Sequence, residues 1–166
     1  MVRKKRRIEG KTDYKARISL LKSGKARIVV RRTNKYVIGQ YVKSKEAKDF
    51  ISIGVMSKQL LSYGWPENAL GSLKSIPASY LTGFLLGKQI IDKEKQTDCI
   101  FDIGLQRNIK KSRTYAFLKG IIDAGVKIKA KEDIFPDEKR IKGEAMKNKI
   151  SDSFNKIKEN IEKKFL

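Results

Sequence analysis

The sequence contains no histidine and only one cysteine. Without histidine, His-ligated metal sites and histidine-based catalytic triads are excluded. The single Cys99 cannot form a disulfide within the chain or a cysteine-cluster zinc site. No apolar stretch approaches the roughly 20 residues of a transmembrane helix. Charged residues Glu9, Lys11, Asp13 and Lys15 occupy the place of a signal peptide's apolar segment. A cytoplasmic protein without membrane association is therefore expected.

Acidic side chains are scarce relative to basic ones. The chain has 18 Asp and Glu against 39 Lys and Arg, which gives a net charge of +21 at pH 7. With 40% hydrophobic residues, the 166-residue chain can bury a core, so one folded domain with an appended arm or helix is expected. A surplus of this size requires a polyanionic partner. Nucleic acid is the first candidate, and an anionic membrane surface is a distant second.

The basic side chains are concentrated near the start of the chain. Residues 1–32 hold 13 basic and 2 acidic side chains, residues 33–100 hold 9 and 6, and residues 101–166 hold 17 and 10. A basic arm ahead of a nearly neutral core is typical of a nucleic-acid contact element. Residues 3–7 are expected to be unstructured until they meet phosphate, although a solvated tail without a role is the alternative for them.

Hydrophobic periodicity predicts a mixed α/β fold. Strands are predicted at 26–33, 36–42, 49–55 and 98–105, the first three as an antiparallel meander. Helices are predicted at 11–22 with Thr12 as N-cap, at 58–63, 75–93 and 113–124, and in an amphipathic tract after Pro136 that breaks near 148–151. The element order requires at least one parallel strand pair. Gly83 and Gly87 should let their helix approach the sheet closely. The predicted divisions are a basic arm and short helix at 1–24, an α/β RNA-binding domain at 25–135 and a C-terminal amphipathic helical extension at 136–166.

Catalytic chemistry has little support in the sequence. Asp98 and Asp102 share one strand face and could, with Asp123, hold a divalent metal for phosphodiester cleavage. The structural alternative, in which Asp102 caps or pairs near a strand end, is favoured. Cys99 alternates with apolar residues and is expected to be buried. No phosphate-binding glycine motif is present. We therefore expect no catalytic residue, metal, cofactor or small-molecule substrate, with a metal-dependent nuclease as one rival.

Three basic segments are candidates for RNA contact: 3–11, 27–36 and 107–113. Arginines repeated along one strand face, as Arg27 and Arg31 are, are hard to bury without partners and suit phosphate geometry. Asn34 and Asn108 can donate hydrogen bonds to riboses or base edges. Exposed tyrosines would stack on unpaired bases and so favour RNA over DNA; the candidates are Tyr14, Tyr36 and Tyr41. A non-specific basic nucleic-acid-binding protein is the second rival.

An ordered series of short motifs resembles one protein family. The series opens with Arg6-Arg7-Ile8-Glu9-Gly10-Lys11-Thr12-Asp13-Tyr14-Lys15-Ala16-Arg17 and Ile28-Val29-Val30-Arg31-Arg32-Thr33-Asn34. It continues with Tyr63-Gly64-Trp65, Ala78-Ser79-Tyr80-Leu81-Thr82-Gly83, Asp102-Ile103-Gly104-Leu105, Ala116-Phe117-Leu118-Lys119-Gly120, Ile134-Phe135-Pro136 and Arg140-Ile141-Lys142-Gly143-Glu144. The series resembles large-subunit ribosomal protein eighteen in its archaeal form, whose eukaryotic relative is large-subunit protein five.

The resemblance implies a three-layer α/β fold with a ribonuclease-H-like core and a mixed sheet. It implies a non-enzymatic constituent of the large ribosomal subunit that binds 5S rRNA and helps anchor it to the large-subunit rRNA in the central protuberance, beside neighbouring ribosomal proteins. Where relatives usually have Thr-Lys-Gly, this chain has Ile109-Lys110-Lys111. The last 20 or so residues are poorly covered, so their helix could pack on the domain, contact rRNA or touch another protein. From the basic segments and the resemblance together, the predicted RNA contacts are Arg3, Lys4, Lys5, Arg6, Arg7, Lys11, Tyr14, Arg17, Arg27, Arg31, Arg32, Asn34, Tyr36, Arg107, Lys110 and Arg113.

Overall fold

A computed structural model describes residues 5–46, 48–94, 98–144, 146 and 150–165. Its centre is a four-stranded sheet in the order β3-β2-β1-β4. The strands are β1 (Ala26–Arg32), β2 (Val37–Lys45), β3 (Lys48–Met56) and β4 (Cys99–Asp102). The predicted antiparallel meander is confirmed, and β4 pairs in parallel with β1. The fourth strand ends earlier than predicted because the Asp102 carboxylate accepts a hydrogen bond from the Gly104 amide at 2.7 Å and the chain turns there.

Helices flank this sheet on both faces. They are α1 (Lys5–Ile8), α2 (Tyr14–Lys22), α3 (Ile76–Lys93), α4 (Arg113–Asp123), α5 (Glu138–Lys142) and α6 (Ile150–Lys164), with 3-10 helices at Ser57–Tyr63, Glu67–Ser72 and Glu132–Ile134. The core lies between α3, α4 and the sheet face that carries Ile28 and Val30. The N-terminal helices lie over the opposite face. These three layers agree with the predicted α/β architecture. Within the described ranges, no helix is both long and apolar enough to cross a bilayer.

The glycines of α3 face a helix and not the sheet, so the prediction for Gly83 and Gly87 is wrong. A Cβ at Gly83 would lie 2.1 Å from the carbonyl oxygen of Phe117 in α4, and a Cβ at Gly87 would lie 2.5 Å from the Cβ of Ala124. Gly120 of α4 packs equally closely against α3, because a Cβ at Gly120 would lie 2.1 Å from the carbonyl oxygen of Tyr80. Small residues on both helices therefore bring the two backbones together.

The C-terminal helix α6 packs on the domain, which was one of the three placements left open. Its apolar stripe of Ile150, Phe154, Ile157 and Ile161 is buried in the core. The predicted break in the tract occurs earlier than expected, because Gly143 adopts a left-handed φ of 79° and ends α5. Residues 145 and 147–149 of the tract lie outside the described residues.

The N-terminal segment is more ordered than predicted. Residues 5–8 form the helical turn α1, in which no residue is buried, and the Arg6 Nε donates to the Thr12 hydroxyl at 3.1 Å. Helix α2 begins at Tyr14 because Asp13, rather than Thr12, is its N-cap. The Asp13 carboxylate accepts from the amides of Lys15 and Ala16. Local hydrogen bonds of this kind form without a buried core, and charge patterning does not report them.

Candidate nucleic-acid interface

A groove of about 990 Å³ separates the N-terminal segment and α2 from the open face of the sheet, the face that carries Arg27, Val29 and Arg31. Its floor, on the sheet side, combines apolar Val29, Val42 and the exposed Ile51 with charged and polar side chains that include Asp49 and Asp102. The opposite side carries the polar and basic side chains of the N-terminal segment together with apolar side chains of α2. We call this space the N-terminal groove. Six of the predicted RNA contacts line it: Arg6, Lys11, Tyr14, Arg17, Arg27 and Arg31.

Hydrogen bonds to the Asp49 carboxylate connect α2 to the sheet at the N-terminal groove. Its carboxylate accepts from Arg17 Nη1 at 2.7 Å, from Arg27 Nη2 at 2.6 Å and from the Ser44 hydroxyl at 2.7 Å. Burial alone would raise the pKa of the Asp49 carboxyl, but the hydrogen bonds from Ser44, Arg17 and Arg27 outweigh burial and hold that pKa below its ordinary value. Asp49 was not singled out from the sequence, where it follows a polar turn without a distinguishing motif.

Arg27 does not fit its predicted role as an RNA contact. The residue is only 3% exposed, and its guanidinium lies between Asp49 and Asp102, with Nη1 at 3.3 Å from the Asp102 Oδ2. A buried arginine whose charge is neutralised by two carboxylates is not available to bind a phosphate. Its role is to hold β3 and β4 against the central strand. The structural interpretation of Asp102 is confirmed by the same contact.

Arg31 and Arg32 end β1 with exposed side chains. The Arg31 Nη1 donates to the Val30 carbonyl at 2.8 Å. The Arg31 guanidinium also packs against Gly104, where an added Cβ would lie only 2.9 Å from Nη1. Gly104 is also left-handed, with φ of 61°. The Arg32 Nε donates at 3.0 Å to Gln106, which in turn donates to the Val30 carbonyl. Gln106 thus orients Arg32, and sequence analysis missed it because one glutamine after a strand carries no pattern.

The three tyrosines proposed for base stacking differ in exposure. Tyr14 is half-buried and lines the N-terminal groove. Tyr36 is half-buried and packs against the core, next to the exposed Asn34 of the β1–β2 turn. Tyr41 is buried, and burial, together with the nearby Cys99 and Glu94, raises its pKa to about 12. The prediction that Tyr41 offers a stacking face is therefore wrong, because the meander turns it toward α3.

The loop from Arg107 to Arg113 does not line the N-terminal groove. Lys110 pairs with Asp133 at 2.6 Å, Asn108 accepts from the Tyr115 hydroxyl, and Arg107 and Arg113 are exposed. Lys111 has a left-handed φ of 55°, at the position where the family resemblance implies glycine. This chain therefore keeps the turn at a backbone cost of about 1–2 kcal/mol. Lys5 and Arg7 lie on α1 outside the groove lining, and Arg3 and Lys4 lie outside the described residues.

The carboxylates proposed for metal-dependent cleavage are kept apart by other partners. Asp98 pairs with Lys25, Asp102 with Arg27, and Asp123 accepts from the Tyr80 hydroxyl at 2.8 Å. Across the part of the chain that the structure describes, no three Asp, Glu, Cys or His side chains converge as a metal site would require. Cys99 is buried as predicted, and burial together with the nearby Asp98 and Glu94 carboxylates raises its thiol pKa to about 11.

Comparison with known proteins identifies close relatives. A family model described as "Ribosomal large subunit proteins 60S L5, and 50S L18" matches residues 1–98. Large ribosomal subunit protein uL18 of Korarchaeum cryptofilum is 47% identical over 143 residues, which cover 86% of this chain and 71% of the relative. The uL18 protein of Methanothermobacter thermautotrophicus is 43% identical over 140 residues, which cover 84% of this chain and 70% of the relative. The uL18 protein of Thermofilum pendens is 41% identical over 144 residues, which cover 87% of this chain and 71% of the relative.

Proposed function

The chain belongs to the family of ribosomal large subunit proteins 60S L5 and 50S L18, and from this we propose that it binds 5S rRNA through the N-terminal groove. Family membership makes it a structural, rRNA-binding constituent of the large ribosomal subunit, a cytoplasmic particle, and not an enzyme. The proposal adds the RNA partner, the face that contacts it and a role in anchoring 5S rRNA to the large-subunit rRNA in the central protuberance.

The convergence of basic side chains on the N-terminal groove carries the proposal. Arg6, Lys11 and Arg17 come from the N-terminal segment and α2, and Arg31 comes from the sheet. These residues are brought together only by folding, over a floor that includes the exposed Ile51. A groove that combines basic and apolar side chains suits a polyanion that also presents unpaired bases, because the arginines can contact phosphates and the apolar side chains can contact base faces.

Affinity and specificity have different sources in this arrangement. The arginines and lysines release counterions from RNA, so affinity falls steeply as salt rises. Tyr14 and the apolar side chains of the floor contact unpaired bases, and the fixed spacing between α2 and the sheet selects RNA shape. Asp49 fixes that spacing through Arg17, so a carboxylate contributes to binding a polyanion by positioning rather than by contact.

Competition binding tests the proposal. Labelled 5S rRNA is bound to the full chain at about 150–200 mM salt, and tRNA and duplex DNA are added as competitors. We expect 5S rRNA to survive a large mass excess of either competitor. Arg31→Ala and Arg32→Ala should each weaken binding about tenfold, as the loss of one charge-assisted contact predicts, with an unchanged melting temperature.

Lys163→Ala is the matched control, because it removes the same charge from an exposed position near the end of α6. It should change affinity by less than about twofold. If tRNA or DNA displaces 5S rRNA equally well, or if all three variants weaken binding alike, the chain is a non-specific basic nucleic-acid-binding protein and the proposal fails.

A further inference from the structure

One glutamine side chain connects β1 and α4 to the loop that follows β4. The Gln106 Oε1 accepts from the Arg32 Nε at 3.0 Å and from the Thr114 hydroxyl at 3.3 Å. The Gln106 Nε2 donates to the Val30 carbonyl at 2.8 Å. Gln106 lines the N-terminal groove, whereas Arg32 does not. The hydrogen bond between them therefore holds the Arg32 side chain beside the groove.

The partners of Gln106 require both ends of a side-chain amide. A backbone carbonyl can only accept and a guanidinium can only donate, so Val30 requires the NH₂ end and Arg32 requires the oxygen. The place of the Val30 carbonyl follows from the sheet, because the last β1–β4 pair joins Val29 and Asp102, one residue earlier. Gln106 therefore supplies a donor to β1 just beyond the end of β4.

The position of Gln106 is fixed by the surrounding backbone. The turn after β4 is closed by the hydrogen bond from the Gly104 amide to Asp102, and the Gln106 amide donates to the Ile103 carbonyl at 3.4 Å. Thr114 lies at the start of α4 and is only 4% exposed, so its hydroxyl is a fixed donor. The glutamine is therefore in place before any RNA binds.

The bond to Gln106 leaves the outer end of the Arg32 guanidinium open. Among the described residues, no hydrogen bond or ion pair reaches the Arg32 Nη1 or Nη2. Two such groups can bind two oxygens of one phosphate in parallel. A long side chain that is already held also loses less conformational entropy on binding than a free one. We propose that Gln106 is a positioning residue for RNA binding, which directs the Arg32 Nη1 and Nη2 toward a phosphate. The inference rests on the proposed function for the identity of the RNA.

A double-mutant cycle on the full chain tests this role, with the Kd for 5S rRNA measured at about 150 mM salt and well below the Tm. Gln106→Met keeps the length of the side chain and removes its three hydrogen bonds. We expect it to weaken binding about threefold in the native sequence. In the Arg32→Ala background the further loss should be below about 1.5-fold, because no arginine is left to position. Gln106→Met removes no charge and should leave the salt dependence of the Kd unchanged, whereas Arg32→Ala should lower its slope by about one.

The Arg32 Nε–H signal in the nuclear magnetic resonance spectrum of the free, isotope-labelled chain is a second measurement. It is identified by its loss in Arg32→Ala, and its proton should exchange with water several times faster in Gln106→Met. Gln106→Asn should give the same result, because its side chain is one methylene too short to reach both Val30 and Arg32. Gln59→Met is the matched control, since Gln59 is exposed and lies outside the groove lining. It should leave the Kd and the Arg32 signal unchanged.

Equal losses from Gln106→Met with and without Arg32 would show that the glutamine contacts RNA itself or acts through stability, and would overturn the proposal. An unchanged exchange rate of the Arg32 Nε–H, or an unchanged Kd in Gln106→Met, would also overturn it. Failure of the proposed function is distinguishable, because it appears in the unsubstituted chain as displacement of 5S rRNA by tRNA or DNA.

Discussion

Replacing Asp49 by asparagine should weaken both the fold and RNA binding. The substitution removes the charge that Arg17 and Arg27 share at 2.7 and 2.6 Å. Removing one partner of a buried ion pair costs about 3–5 kcal/mol. Here Asp49 is 30% exposed and Arg27 keeps Asp102, so a loss of about 2 kcal/mol in the free energy of unfolding is expected. For a chain of this length, that loss lowers the Tm by roughly 4–8 °C.

The pH dependence of this loss follows from the lowered pKa of Asp49. A depressed carboxyl pKa stabilises the fold fully above the unfolded-state value of about 4, and the stabilisation is lost as the pH falls through the lower folded-state value. Urea unfolding of both proteins should therefore give a constant difference between about pH 5 and 8 that shrinks below about pH 4. Asp133→Asn, at an exposed ion pair with Lys110, is the control and should leave the urea midpoint unchanged.

The RNA affinity of Asp49→Asn distinguishes two explanations, because they predict changes in opposite directions. Asp49→Asn makes the N-terminal groove more positive, so electrostatic attraction alone predicts tighter binding of 5S rRNA. If Asp49 positions α2 through Arg17, binding should instead weaken, about fivefold for a loss near 1 kcal/mol. The assay is the salt-matched competition measurement at a temperature well below the Tm of the variant. Tighter binding with unchanged stability would refute the positioning role.

Three further predictions concern the core. Gly120→Ala should destabilise the fold by about 1–3 kcal/mol in urea unfolding, because its Cβ meets a backbone carbonyl at 2.1 Å, whereas Gly71→Ala meets nothing within 4 Å and should be nearly neutral. Phe154→Ala should cost about 3–5 kcal/mol, whereas the exposed Phe50→Ala should cost under about 0.5, and equal losses would show that α6 is not part of the core. Cys99 should resist thiol reagents at pH 8 until the chain is unfolded, since burial and nearby carboxylates raise its pKa to about 11, and rapid modification of the folded chain would contradict this.

Some of the candidate site could be predicted from residue order alone. Arg31 and Arg32 follow an apolar strand and end exposed, as their position before a turn indicates. Arg17 was found only through the family resemblance, because its significance depends on Asp49, 32 residues away. Gln106 was not predicted, since an isolated polar residue acquires a role only when distant segments meet.

The sequence by itself determined the net charge, the exclusion of histidine chemistry and the meander, because these depend on composition or on contacts between neighbours in the chain. Tertiary structure alone decided which arginines are available. Arg27 and Arg31 share one strand face, yet Arg27 is enclosed because β3 and β4 bring Asp49 and Asp102 to it. Gly83 likewise faces the Phe117 backbone of α4 and not the sheet, because α3 and α4 pack directly against each other. Side-chain burial is a property of long-range pairing, and the local pattern of a strand or helix does not contain it.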